Sequence, residues 1–299
     1  MAHFLAEHTT VPFERYRFAV AHEEMNSRRR NTMEDCHRIL PTLGPELETF
    51  SYFGIYDGHG GRQIVDFLED AFEQNIIIEL KEPDEASVLE RLSRAFLITD
   101  MQSKKQNIST SGATAVAVLL ETDKTDHTKR TLHVGNVGDS RAVLVSSKRP
   151  AHAQPATDTE EPTSEAPEHG FIATRLTFDH RAEDAAEQER IKVAGGFVTR
   201  NRVLGILAVS RSFGDHGMKD FVIATPYVTE TDLSQCGECP MLILACDGVW
   251  DVFSDQEAAD LLLERYLREG PFEDAARMLV DAAIEKGSAD NVTVIVVFL

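Results

Sequence analysis

A series of short apolar runs rich in β-branched and aromatic residues constrains this chain more than any other feature: residues 16–21, 50–56, 114–120, 131–137, 142–145, 241–246 and 292–299. Runs of this length and content read as strands. Most neighbouring strands have no crossover helix between them, which argues for antiparallel sheets and against an alternating doubly wound sheet. Over 61–80, 87–101, 183–193, 255–267 and 272–285, apolar residues recur at three- and four-residue spacing, as in amphipathic helices packed outside such sheets. Helix 255–267 has a defined start and stop, because Ser254 stands three residues before Glu257 in a capping box and the pattern ends at Gly270-Pro271.

With 299 residues, 42% of them hydrophobic, the chain can bury a large core, and its length allows one or two domains. The 50 acidic and 30 basic side chains leave a formal charge of −20, a field that repels nucleic acid and anionic membrane surfaces. No stretch approaches the roughly 18 apolar residues of a membrane span. The start, Met-Ala-His-Phe, lacks a basic region before an apolar run, and Ala2 stands where myristoylation would require glycine. The expectation is a soluble cytoplasmic protein, with the nucleus left open, that acts as a monomer without nucleic-acid or membrane partners. Four cysteines in so long a chain do not make a disulfide framework, and the lone Cys236-Gly-Glu-Cys239 reads as a loop before a strand. Residues 150–170 carry four prolines and five acidic side chains without Leu, Ile, Val or Phe, which predicts a mobile acidic surface insert.

The informative chemistry lies in carboxylates at the ends of the apolar runs: Glu34-Asp35, Asp57-Gly58-His59, Asp139, Asp247-Gly248-Val249-Trp250-Asp251 and Asp290-Asn291. One Asp-Gly is usually only a turn. An aspartate directly after a strand, however, is held rigidly at a sheet edge, and a following glycine lets backbone approach a ligand. Carboxylates that converge repel one another unless cations neutralise them, and oxygen donors suit hard divalent ions such as Mg²⁺ or Mn²⁺. Two such ions about 3.5–4 Å apart can bridge a water, lower its pKa from 15.7 towards about 7 and clamp an in-line displacement at phosphorus.

In order, Arg30-Asn-Thr-Met-Glu34-Asp35, Phe53-Gly-Ile-Tyr-Asp57-Gly-His-Gly-Gly61, Ser111-Gly-Ala-Thr114-Ala, Val134-Gly-Asn-Val-Gly-Asp139-Ser-Arg141, Asp179-His180, Leu207-Ala-Val-Ser-Arg-Ser-Phe-Gly-Asp215, Leu244-Ala-Cys-Asp247-Gly-Val-Trp-Asp251 and Ser288-Ala-Asp290-Asn291-Val-Thr293 resemble the motif series of the metal-dependent protein phosphatases, the type 2C serine/threonine phosphatases. The resemblance spans nearly the whole chain. It implies an α+β fold, a four-layer αββα sandwich of two antiparallel β-sheets flanked by helices, forming one catalytic domain over 1–299. It implies hydrolysis of phosphoserine and phosphothreonine in phosphorylated protein substrates, with two Mg²⁺ or Mn²⁺ ions and room for a third, weaker one. By position, Asp57 would bridge the metals, Gly58 would offer its carbonyl to one, and Asp247 and Asp290 would ligate the other. Glu34 and Asp35 would hold metal-bound waters, and Asp139 and Asp251, with Asp247, would hold the third ion. Arg30 matches the phosphate-gripping arginine, a role suited to its planar donor fork, and His59 matches the general acid. For Thr114 and Asp215, structural hydrogen bonding and direct chemistry both stay open.

The chain departs from the family pattern in three places. No Gly-Trp precedes Arg30, Asp179-His180 is followed by Arg-Ala where Lys-Pro is usual, and the acidic insert is added. These departures bear on substrate selection and on the flap-like region after residue 181, not on the metal ligands. The alternatives are a catalytically silent binding or regulatory module, which would be expected to have lost metal-site carboxylates, and a hydrolase of small phosphate metabolites.

Overall fold

In chain order the elements are β1 (Ala6–Phe13), β2 (Tyr16–Glu24), β3 (Cys36–Leu40), β4 (Phe50–His59), α1 (Gln63–Lys81), α2 (Val88–Lys104), β5 (Gly112–Thr122), β6 (Arg130–Val137), β7 (Arg141–Ser146), β8 (Ile172–Arg175), α3 (Ala185–Val193), β9 (Val198–Thr199), β10 (Arg202–Val203), β11 (Phe213–Gly214), β12 (Tyr227–Asp232), β13 (Met241–Ala245), α4 (Asp247–Trp250), α5 (Asp255–Glu269), α6 (Ala275–Glu285) and β14 (Val292–Phe298). The structure is a computed structural model that describes residues 6–13, 16–108, 110–150 and 169–299. The acidic insert expected at 150–170 lies almost wholly outside the described residues.

One sheet has the order β1-β2-β14-β13-β7-β8; the other has the order β12-β6-β5-β4-β3, with β11 paired to the start of β5. The strand pairings within both are antiparallel. Three apolar clusters show how the layers stack. In β4, Phe53 and Ile55 point into a cluster shared with Leu242, Leu244, Ile295 and Val297 of the opposite sheet. Tyr52 and Tyr56, on the alternate face, pack with Phe72 and Phe96 of α1 and α2. In β14, Val294, Val296 and Phe298 face Leu262, Leu279 and Val280 of α5 and α6. The order is therefore helices, sheet, sheet, helices, and the αββα expectation holds. Because both faces of each sheet are covered, β13 and β14 read as continuous apolar runs without clear alternation.

The helix ends follow local rules. Ser254 Oγ accepts from Glu257 N at 3.2 Å and Glu257 Oε2 accepts from Ser254 N at 2.8 Å, the reciprocal capping box expected for α5. Gly270, at φ 75°, stops it. The strands β3, β8 and β12 have no counterpart in the apolar reading. They are short or carry polar residues, as in Tyr-Val-Thr-Glu-Thr-Asp of β12, and gain their place by pairing to strands that are themselves apolar. Between β8 and β12 the chain leaves the sandwich and builds a small separate cluster of Ala182, Ile191, Val203 and Val222 around α3 and the β9–β10 hairpin.

Candidate active site

Asp57 lies near the end of β4, opposite Thr114 of β5, and belongs to the second sheet. Asp247 opens α4 directly after β13, and Asp290 precedes β14, so both come from the first sheet. Asp139 sits in the turn by which the chain passes from β6 in one sheet to β7 in the other. Strands from both layers thus end at one rim of the sandwich, and their terminal carboxylates meet there.

Two glycines permit the meeting. A Cβ on Gly58 would stand 2.5 Å from the Glu34 carbonyl oxygen and 2.8 Å from Val65 Cγ2; one on Gly248 would stand 2.1 Å from the Asn291 carbonyl oxygen. Neither backbone contact could tolerate a side chain. Asn291 then ties the 25–34 loop to β14, its Oδ1 accepting from Glu34 N at 3.0 Å and its Nδ2 donating to Met25 and Thr32 carbonyls at 2.9 and 3.0 Å. Asn26, in the left-handed region at φ 54°, answers from the other side, donating to the Ser288 and Asp290 carbonyls at 2.9 and 3.1 Å. Sequence reading grouped Asn291 with Asp290 but missed its stapling role and did not single out Asn26. For Asn26, the tolerance of Asn for left-handed backbone at a turn was the available signal.

Ligand atoms of Asp35, Asp57 and Cys246 lie within 4.8 Å of one another. Asp35 is buried and its Oδ2 accepts from Thr293 Oγ1 at 2.7 Å. Burial is the first cause that pushes the Asp35 carboxyl up to about 7 and that of Asp139 up to about 6. Burial also raises Asp57 well above the usual carboxylate range, and the charges of Asp247, Asp35, Asp139 and Asp290 add to it. Asp247 is raised likewise, by burial and then by Asp139, Asp290, Asp251 and Asp35. These mutual effects define one constellation of carboxylates, in which neighbouring aspartates and no protein cation are the leading charges acting on Asp57 and Asp247. The donor set of carboxylate oxygens, with one backbone approach at Gly58, fits hard divalent cations. Cys246 lies among them as a buried thiol held up by burial and the surrounding aspartates.

The remaining predicted residues stand at the edges. Glu34 Oε2 accepts from Gly61 N at 3.3 Å and its Oε1 from Thr32 Oγ1 at 3.1 Å. Arg30 is half-exposed and pairs with Asp290, while its Nε donates to the Ala289 carbonyl at 3.3 Å. Asp139 and Asp251 are both faced by Arg181, at 3.3 and 2.6 Å. Arg181 lies at one of the three places where the sequence departs from the family pattern, and sequence reading did not connect it to these two carboxylates. Thr114 Oγ1 is buried against Ser140 Oγ at 2.7 Å, a structural hydrogen bond. His59 Nε2 meets Asp215 Oδ2 at 2.7 Å.

Residues 19–292 match the family model described as Protein phosphatase 2C. The chain is 34% identical over 310 residues to Protein phosphatase 2C homolog 1 of Saccharomyces cerevisiae, covering 99% of this chain and 98% of that protein. It is 32% identical over 278 residues to Protein phosphatase 2C homolog 1 of Schizosaccharomyces pombe, covering 93% and 72%. Among solved structures, a serine-threonine phosphatase 2C from Toxoplasma gondii superposes with a TM-score of 0.74 at 22% identity over 98% of each chain, a likeness of fold. Ordered motifs, an acidic rim that calls for cations and near full-length relatives agree that this chain belongs to the protein phosphatase 2C family, the metal-dependent phosphoprotein phosphatases.

Proposed function

We propose that the chain removes phosphate from phosphoserine and phosphothreonine of protein substrates using a pair of Mg²⁺ or Mn²⁺ ions, as a monomeric single-domain cytoplasmic enzyme. The observation that carries this reading is the gathering of carboxylates at one rim: ligand atoms of Asp35 and Asp57 lie within 4.8 Å of each other and of Cys246, burial raises Asp35, Asp57, Asp139 and Asp247, and the charges of neighbouring aspartates raise Asp57 and Asp247 further. Such a cluster is costly unless cations complete it. When bound, the ions would supply an activated water and offset the charge of the phosphoryl group, a term of the kind that dominates phosphoryl-transfer catalysis.

The residues divide the remaining work. Asp57 would bridge the ions, with the Gly58 carbonyl on one and Asp247 and Asp290 on the other, while Glu34 and Asp35 would order bound waters. Arg30 is exposed enough to exchange its partner Asp290 for a substrate phosphate, where its fork can bind two oxygens at once. His59 gives a proton to the leaving serine or threonine oxygen, whose departure as an alkoxide would otherwise be slow. Asp139 and Asp251 would share a third, weaker ion only if Arg181 gave up its bonds to both.

The test is phosphate release from a phosphothreonine peptide with Mn²⁺, Mg²⁺ or excess chelator, beside Asp57→Asn checked for folding by circular dichroism. Release that depends on the cation and vanishes in the variant is the expected result. Folded, metal-loaded wild type that releases nothing would leave the silent-module reading in its place, and faster turnover of small phosphate metabolites than of phosphopeptides would redirect the substrate class.

A further inference from the structure

Three strands place His59, Gly112 and Gly214 in one row. His59 pairs with Gly112 across β4 and β5, and Gly112 pairs with Gly214 across β5 and β11. Asp215 follows directly, and its backbone is held in the left-handed region at φ 47° with its N–H donating to the Ser111 carbonyl at 3.1 Å. Its side chain is buried. Oδ2 receives two contacts, from Ser212 Oγ at 2.6 Å and from His59 Nε2 at 2.7 Å. The row leaves room for this meeting only because position 112 has no side chain. A Cβ on Gly112 would stand 2.1 Å from Asp215 Oδ2 and 2.4 Å from His59 Nε2.

The turn that carries Asp215 is itself anchored. Asp100 of α2 accepts from Gly214 N at 2.9 Å and from Lys219 Nζ at 3.0 Å, and Lys219 also donates to the Ser212 carbonyl at 3.0 Å. A buried carboxylate fixed by this many bonds on either side is far more support than a loop aspartate needs. A strand-end histidine that is partly exposed to the site is what it holds.

We propose that Asp215 is a positioning residue for the proton donor, orienting the His59 ring and selecting its tautomer, with Gly112 providing the space in which the two meet. This rests on the reading of His59 as general acid. With Nε2–H donated to Asp215, Nδ1 is the nitrogen left to act. As the P–O bond breaks, the Nδ1 proton passes to the leaving alkoxide oxygen and His59 remains as the neutral imidazole, still donating Nε2–H to a carboxylate that stays ionised throughout. The arrangement is a histidine oriented by a buried acid, as in hydrolytic triads, used here to give a proton first.

The readout is dependence on the leaving group, because an activated aryl phosphate departs without a proton and a phosphothreonine peptide does not. Asp215→Asn keeps the shape, and Asn tolerates left-handed backbone, so folding is expected to survive. The proposal expects Asp215→Asn to lower kcat on the phosphopeptide by about 10-fold or more, up to the roughly 10²–10⁴ of complete general-acid loss, with KM and Mn²⁺ affinity little changed and p-nitrophenyl phosphate turnover nearly intact. His59→Gln is expected to show the same selectivity, and the double variant to be no worse than His59→Gln alone. Gly112→Ala, which removes no functional group, is expected to reproduce the pattern in weaker form. If His59→Gln is selective and folded Asp215→Asn is not, or if the two losses multiply, the positioning role is overturned while the general acid stands. If His59→Gln lowers both substrates equally, the general-acid reading falls and the positioning role falls with it.

Discussion

Gly248 separates two carboxylates by nothing but backbone. Its Cα faces the Asn291 carbonyl so closely that a methyl group would need to occupy space 2.1 Å from that oxygen. Gly248→Ala must therefore move the Asp247 turn away from the Asp290 turn, and overpacking of this kind costs about 1–3 kcal/mol. The expected outcome is a lower melting temperature and, independently, weaker Mn²⁺ binding by calorimetry. Unchanged affinity would mean that these two turns do not share an ion. At this scale Asp57, Asp247 and Asp290 stood out in the sequence as carboxylates that follow or precede apolar runs. The partnership of Arg181 with Asp139 and Asp251 was not, since residues 42 and 70 positions apart can be joined only by folding.

Elements differ in how far local rules carry them. The start of α5 was readable from Ser254 and Glu257 alone, because a capping box is complete within four residues. Ser254→Ala should cost about 1 kcal/mol and leave kcat untouched, since this cap lies outside the carboxylate constellation. Asn291→Ala is expected to behave differently. It breaks one accepted and two donated bonds between β14 and the 25–34 loop, each worth about 0.5–1.5 kcal/mol. It should lower both thermal stability and metal affinity, because the same loop carries Glu34 and leads directly into Asp35; a loss of stability with metal binding intact would show that the loop is held by other contacts. Strands such as β3 and β12 escaped the sequence reading for a related reason. Their own residues do not favour a strand strongly, and pairing with β4 and β6 supplies what the local sequence lacks.

Across the whole molecule, a formal charge of −20 and a rim of buried carboxylates make stability depend on pH and on cations together. Asp35 is raised to about 7, so between about pH 4 and 7 this carboxyl keeps in the native state a proton that the unfolded chain has lost, and the stability it contributes falls as pH rises through that range. His180, lowered to about 3 by burial, acts in the opposite sense, but only below its ordinary value of 6.5. Between pH 6.5 and about 8 the carboxylates should therefore dominate. In excess chelator the melting temperature is expected to fall across this window, and millimolar Mn²⁺ should raise it more at the upper end than at the lower. A chelated protein whose stability rises across the window would contradict the cluster's electrostatics.

What the amino-acid order determined by itself was what acts over a few residues: that the strongly apolar runs are strands, which segments are amphipathic helices, where α5 begins, and that aspartates stand near the end of β4, just after β13 and in the turn before β14. Those patterns depend on periodicity and capping, which need no partner. The tertiary structure alone decided which sheet each strand joins, which of two apolar faces meets helices and which meets the other sheet, and that Asp215 reaches His59 from 156 positions away. Burial on both sides erased the alternation that would have told the faces apart. The charges of one carboxylate act on another through space, so only closure of the two sheets could turn scattered aspartates into a site for cations.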